Sequence, residues 1–169
     1  MPNITYIKSL VIVLLATFAL PLQAQSAPPE GCYERTYSQE HLAKNPDQIV
    51  EQIAVRFGQK AGDRIAQMSV LTAHQGHVTA SGNGGQLLDQ FLYCFAPQSG
   101  SKNWACSVEC DGGSMEIIRA DAKTLLFRTD YLLVGDSDQC GGPVDLAEKI
   151  GKRVTYKLTR VANSQCAIK

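Results

Sequence analysis

No block of like charge interrupts this sequence: 16 basic and 16 acidic residues are scattered along 169 positions. A chain without a basic stripe has no electrostatic footprint for a phosphate backbone or an anionic bilayer, so no nucleic-acid partner and no polybasic membrane patch are expected. Gly-x-Ser-x-Gly is missing, and with it the nucleophile elbow of serine hydrolases. So are the Cys-x-x-Cys of thiol oxidoreductases and any glycine-rich loop for phosphate. There is no internal repeat and no low-complexity segment. Helical periodicity long enough for a strand-to-strand crossover is also absent, which removes parallel α/β folds.

One apolar run stands out, Leu10 to Leu20. It has the length of a signal-peptide core and is too short to span a bilayer comfortably. Lys8 is the only charge before it, Pro21 breaks any helix, and Ala24 offers a small residue for cleavage, with Ser26 and Ala27 as alternatives. No stop-transfer pattern follows and no cysteine sits at the junction, so neither a retained anchor nor a lipid-anchored form is expected. The reading is a signal peptide over 1–24, a proline-containing linker over 25–31, and one disulfide-tied β domain over 32–169. Removing 24 of 169 residues leaves 145, an ordinary size for one core, and losing Lys8 leaves 15 basic against 16 acidic residues, a net charge of −1. The expected location is periplasmic or secreted, with no stable membrane insertion after cleavage.

Six cysteines, at 32, 94, 106, 110, 140 and 166, all fall in the mature part. In an exported chain an even number reads as disulfides. Zinc fails on spacing, because no second close pair or neighbouring histidine completes a ligand set around Cys106 and Cys110. A hairpin through Gly100 sets Cys94 opposite Cys106. Cys110 then meets Cys140 in a long loop, and Cys32 with Cys166 ties the termini together.

Period-two alternation dominates the remainder. Ser38 caps a short helical turn over 39–44 that Asn45-Pro46 ends, with Leu42 packing on something larger. Ile49, Ile53, Val55 and Phe57 share one face of the next strand, before a turn region over 58–63. Residues 64–74 and 77–82 form an expected hairpin about Gln75-Gly76 that sets His74 against His77. Phe91, Tyr93 and Phe95 alternate with Leu92 and Cys94, and with Trp104 they are expected as core or inter-sheet packing rather than as an aromatic binding platform. Trp104, Cys106, Val108 and Cys110 share a face, and Asp111-Gly112 is expected as a type I′ turn placing Val108 opposite Met115 and Cys106 opposite Ile117. Thr124 to Val134 is a long strand with a bulge expected near Thr129-Asp130, with Leu125, Phe127, Tyr131 and Leu133 on one face. Val144 to Ile150 reads as a helical turn, and Val154, Tyr156 and Leu158 point inward from a closing strand. The fold class is therefore all-β: a disulfide-stabilised antiparallel barrel or sandwich of about eight to nine strands, with a barrel preferred because successive hairpins form a meander.

Chemistry-bearing sets are sparse. His74 and His77 are the only metal candidates, and two ligands hold an ion poorly. Asp136-Ser137-Asp138 resembles the start of a calcium loop, but Cys140 and Ala147 occupy positions that need oxygen ligands. Glu109 and Glu116 form a diagonal acid pair on an outward face with nothing to mark a pocket. No catalytic residue, cofactor or resident metal is expected. The function expected is that of an exported, non-catalytic binding module for a protein or small ligand, inhibitor-like in one form, presenting the loop 98–103 or 136–142. The alternatives are a metal-dependent enzyme or metal-binding protein using His74 and His77, and a structural cell-envelope protein.

Overall fold

Strand-forming residues alternating at period two, broken by short turns, leave each segment with one apolar face to bury, and here the segments bury it by closing on one another. The structure, a computed structural model, describes residues 27–98, 100–135 and 140–166. The expected signal peptide, the start of the linker and the Asp136-Ser137-Asp138 segment lie outside the described residues. In chain order the elements are β1 (Gly31–Thr36), α1 (Gln39–Lys44), β2 (Val50–Lys60), β3 (Asp63–Thr72), α2 (Gly76–Ala80), β4 (Leu87–Phe95), β5 (Trp104–Ser107), β6 (Gly113–Ala120), β7 (Thr124–Val134), β8 (Val144–Asp145) and β9 (Val154–Val161). The strands form one nine-stranded sheet; all but β8 close into an eight-stranded antiparallel barrel, β9 filling the gap between β7 and β1 while β8 extends the end of β7. The barrel arrangement is therefore the one realised.

An eight-stranded barrel has an interior just wide enough for side chains to fill. Ile53 and Val55 from β2, Met68 and Val70 from β3, Leu92 from β4 and Leu125 from β7 are fully or almost fully buried there. Tyr33 meets Phe57 edge-on at 6.1 Å between centroids, and Phe127 stacks on Tyr156 at 5.2 Å. One end of the barrel carries the β2–β3 and β6–β7 turns, the β4–β5 connection, the start of β1 and the end of β9. The other carries the long connections, with Leu42 of α1, Val78 of α2 and Leu146 all buried against it. There the Tyr156 hydroxyl donates to the Leu146 carbonyl at 2.9 Å.

Three disulfides tie the barrel: Cys94–Cys106 across β4 and β5, Cys32–Cys166 between β1 and the C-terminal tail, and Cys110–Cys140 between two connections at the long-loop end. No cysteine is free, a state compatible with an extracellular or otherwise oxidising compartment.

Several expectations are corrected. The hairpin about Gln75-Gly76 does not form: β3 stops at Thr72, pairs with β4, and residues 76–80 coil into α2. Gln75 explains the choice, because its side-chain amide reaches the carbonyls of Leu42, Asn45 and Gln48 at 3.2, 2.7 and 2.9 Å and fastens this connection to the end of α1. Strand β2 runs on to Lys60, and only Ala61 and Gly62, both at positive φ, make the turn. Between β5 and β6 the register is displaced by two residues, with Cys106 opposite Met115 and Trp104 opposite Ile117. Val108 leaves the strand to plug the core, and Cys110 and Asp111 take positive φ in a wider connection, so Cys110 is exposed rather than inward. A two-residue shift preserves faces, which is why Trp104, Cys106, Met115 and Ile117 all remain buried. The aromatic face of β4 is inverted: Leu88, Gln90, Leu92 and Cys94 point in, while Phe91, Tyr93 and Phe95 point out. The bulge at Thr129-Asp130 is present, two residues facing Met115 alone, and beyond it Leu132 and Val134 turn inward while Tyr131 is exposed. Residues 144–150 contain β8 and no helix.

Candidate functional site

The two histidines expected as metal ligands are not brought together as a pair on a hairpin. His74 is exposed beside Gly85, whereas the His77 ring Nε2 lies 3.0 Å from the Ala147 carbonyl oxygen, with no cross-strand ladder between them. Among the described residues the group with metal-ligand spacing is Cys32, Glu34 and Cys166, and its two sulfurs are joined to each other. That leaves no thiolate to bind an ion.

A second polar cluster gathers around α1. The Tyr37 ring lies 4.9 Å from that of His41, and Lys149 pairs with Asp47 at 2.8 Å. Burial, aided by the Asp47 carboxylate, pushes the Glu148 carboxyl above its usual range, against the opposing influence of His41 and Lys149. Burial also raises the Tyr37 hydroxyl. These groups gather around α1 at the long-loop end.

The outer face of β4 to β7 is different. Its register aligns Tyr93, Ser107, Ser114 and Tyr131 in one row across four strands, and Phe95, Ala105, Glu116 and Arg128 in the next. Small side chains on β5 and β6 thus form a floor between aromatic rings on β4 and Tyr131 on β7. Phe95 is 50% exposed and Tyr131 44%. Phe91 packs edge-on to Tyr93 at 5.4 Å, and the Lys60 ammonium covers the Phe91 ring at 4.6 Å. At the β7 side the floor drops into an open depression of about 280 Å³, lined by Ser114 and Glu116 from β6, by 128–131 from β7, and by Arg153.

The bulge creates this depression. The Thr129 hydroxyl donates to the Ser114 carbonyl at 2.7 Å and accepts from the Tyr131 N–H at 3.1 Å, which fixes the kink. Gly113 completes it: at φ +85° its α-carbon abuts the Tyr131 carbonyl, where any Cβ would collide. The charges on the lining are paired. Arg128 Nε donates to Glu116 Oε2 at 2.6 Å, and Asn103 donates to Oε1 at 2.7 Å. Arg153 grips Asp130 through two bonds of 2.7 Å each. Those bonds, from Arg128 and Asn103 in one case and Arg153 in the other, hold both carboxyls below their usual range, so both are ionised at neutral pH. The arrangement offers fixed donors and acceptors beside exposed rings, and it holds no acid poised to give up a proton near neutrality.

Of the sequence's acid pair, Glu116 belongs to this site, while Glu109 sits in the connection over 108–112. The loop 98–103 contributes Asn103, and the loop 136–142 lies partly outside the described residues. Asp130, Tyr131 and Arg153 carry no motif that marks them as site residues, although the bulge that exposes the first two is legible in the sequence. Comparison with protein-family models, with curated proteins and with solved structures finds no match for this chain.

Proposed function

We propose that the protein is an exported, periplasmic or secreted, non-catalytic binding module whose ligand docks on the outer face of β4 to β7. The observation that carries this reading is the depression at the Thr129-Asp130 bulge, walled by an exposed tyrosine and two neutralised arginine–carboxylate pairs. Tyrosine and arginine are the side chains over-represented where binding energy concentrates. Paired, ionised carboxylates suit recognition better than general acid catalysis, which needs a pKa near the working pH. Three disulfides and a closed sheet keep the face rigid, so little ordering cost is expected on binding.

The test is a surface block. Replacing Ser107 and Ser114, the centre of the floor, by arginine fills the face without touching the core. Ligands selected on the wild-type chain from peptide-display and oligosaccharide panels are expected to lose about tenfold or more in affinity on the blocked variant. Equal affinity for both chains would move the binding surface elsewhere and defeat the proposal.

A further inference from the structure

We infer that the ligand of this face is a neutral oligosaccharide, an inference that rests on the binding surface just proposed. Three features of the face select this chemistry over a peptide or a charged ligand.

Around the depression the backbone is closed to strand addition. Peptides that bind sheets commonly add a strand to an open edge, but β6 is hydrogen-bonded to β5 and β7, and β7 to β6 and β9. Even the bulge is served internally, since the Thr129 hydroxyl takes up the Ser114 carbonyl and the Tyr131 N–H. Recognition here must run through side chains.

The lining also carries no excess of either sign. Glu116 and Asp130 are matched one to one by Arg128 and Arg153. The matched pairs leave no net charge on the lining to attract an ionic ligand. A neutral ligand leaves both pairs intact and still finds free donor and acceptor positions on Asn103, the guanidinium groups and the carboxylates. Hydroxyl groups, which both donate and accept, fit such a mixed set.

The rings supply the third feature. Tyr131 and Phe95 are the exposed aromatics at opposite sides of a floor of alanine and serine. Three strand spacings separate β4 from β7, about 14 Å, room for more than one sugar unit. The C–H faces of pyranose rings stack on such aromatic surfaces while their hydroxyls reach the flanking polar groups.

Isothermal titration calorimetry with cellohexaose, chitohexaose and maltohexaose, and with hexa-aspartate and hexalysine as charged probes, tests the inference. At least one neutral hexasaccharide is expected to bind the wild-type chain with a Kd of about 1 mM or tighter, and to weaken by about tenfold or more in Tyr131→Ala and in Ser114→Arg. Leu87→Ala, an exposed change on β4 away from the depression, is expected to leave binding unaltered. Because no ion pair forms on binding, raising the salt concentration should change the affinity little. Hydrogen exchange reads the same contact without any variant, since the bound sugar is expected to protect 113–131 in the wild-type chain. Absence of binding by all three sugars, or binding that neither variant weakens and that leaves 113–131 unprotected, overturns the inference. Peptide binding lost in the same variants, with no sugar bound, would retain the face as a binding surface and remove only its assignment to saccharide.

Discussion

Glu148 sits half-buried beside α1, and desolvation, then the neighbouring Asp47 carboxylate, holds its carboxyl above the ordinary range. A carboxyl whose folded pKa is raised binds its proton more tightly in the folded chain. Its contribution to stability is complete below the ordinary value of 4.5 and is lost as pH rises through the folded value. Glu148→Gln removes that liability. The variant is expected to melt higher than wild type at pH 7 and 8, with the gap closing as pH falls to 4 in a thermal denaturation series. Glu116 and Asp130 carry the opposite sign, since their folded pKa values are depressed. Their stabilisation is present above the ordinary carboxylate range and fades as acid protonates them. Gln75 acts through geometry instead: its amide serves three carbonyls around the end of α1. Gln75→Ala is expected to cost about 1–3 kcal/mol, the penalty of stranding such groups, and to speed amide exchange in α1 before the barrel strands.

Elements show where local chemistry decides and where it is overruled. The β2–β3 turn places Ala61 at φ 53° before Gly62, so both turn residues occupy the region a type I′ turn demands. Alanine is strained there, and Ala61→Asn is expected to raise stability by about 0.5–1 kcal/mol in urea denaturation. Gly113→Ala is expected to do far more harm than Gly62→Ala, because the former drives a Cβ into the Tyr131 carbonyl while the latter meets open space. The strands themselves are legible in the sequence, since period two survives in β4, in β9 and in β7 up to its bulge. Face assignment is harder. In β4 a leucine–glutamine–leucine–cysteine row wins the interior over three aromatic residues, which the barrel's narrow lumen cannot all admit. In β7 the bulge is foreseeable but its consequence is not, namely that one extra residue reverses every later side chain. The depression arises from that reversal, so the candidate site hides in a feature that the sequence does display. Helix α2 is illegible because Gln75-Gly76 has hairpin chemistry locally, and the carbonyls that claim Gln75 come from residues 27 to 33 positions away.

For the whole molecule, closure places the first and last strands side by side, and Cys32–Cys166 locks them across a sequence separation of 134 residues. In the chain-entropy account such a long loop is worth about 5 kcal/mol, against about 3 for the short Cys94–Cys106 loop. Replacing Cys32 and Cys166 by serine is therefore expected to remove about 4–5 kcal/mol, a large share of a typical domain's 5–15. Urea denaturation of the double variant against wild type measures it. At the depression β6 and β7 are each paired on both sides, so side chains there must carry recognition. The most direct measurement of that claim is a two-dimensional amide NMR titration of the wild-type chain with the tightest ligand from the calorimetric panel. The account predicts shifts concentrated on Phe95, Ser107, Ser114, Glu116, Tyr131 and the Asn103 side-chain amide, with α1, α2 and the interior unmoved. Shifts concentrated instead on α1, Glu148 and the long-loop end, with the β4–β7 face silent, would contradict it.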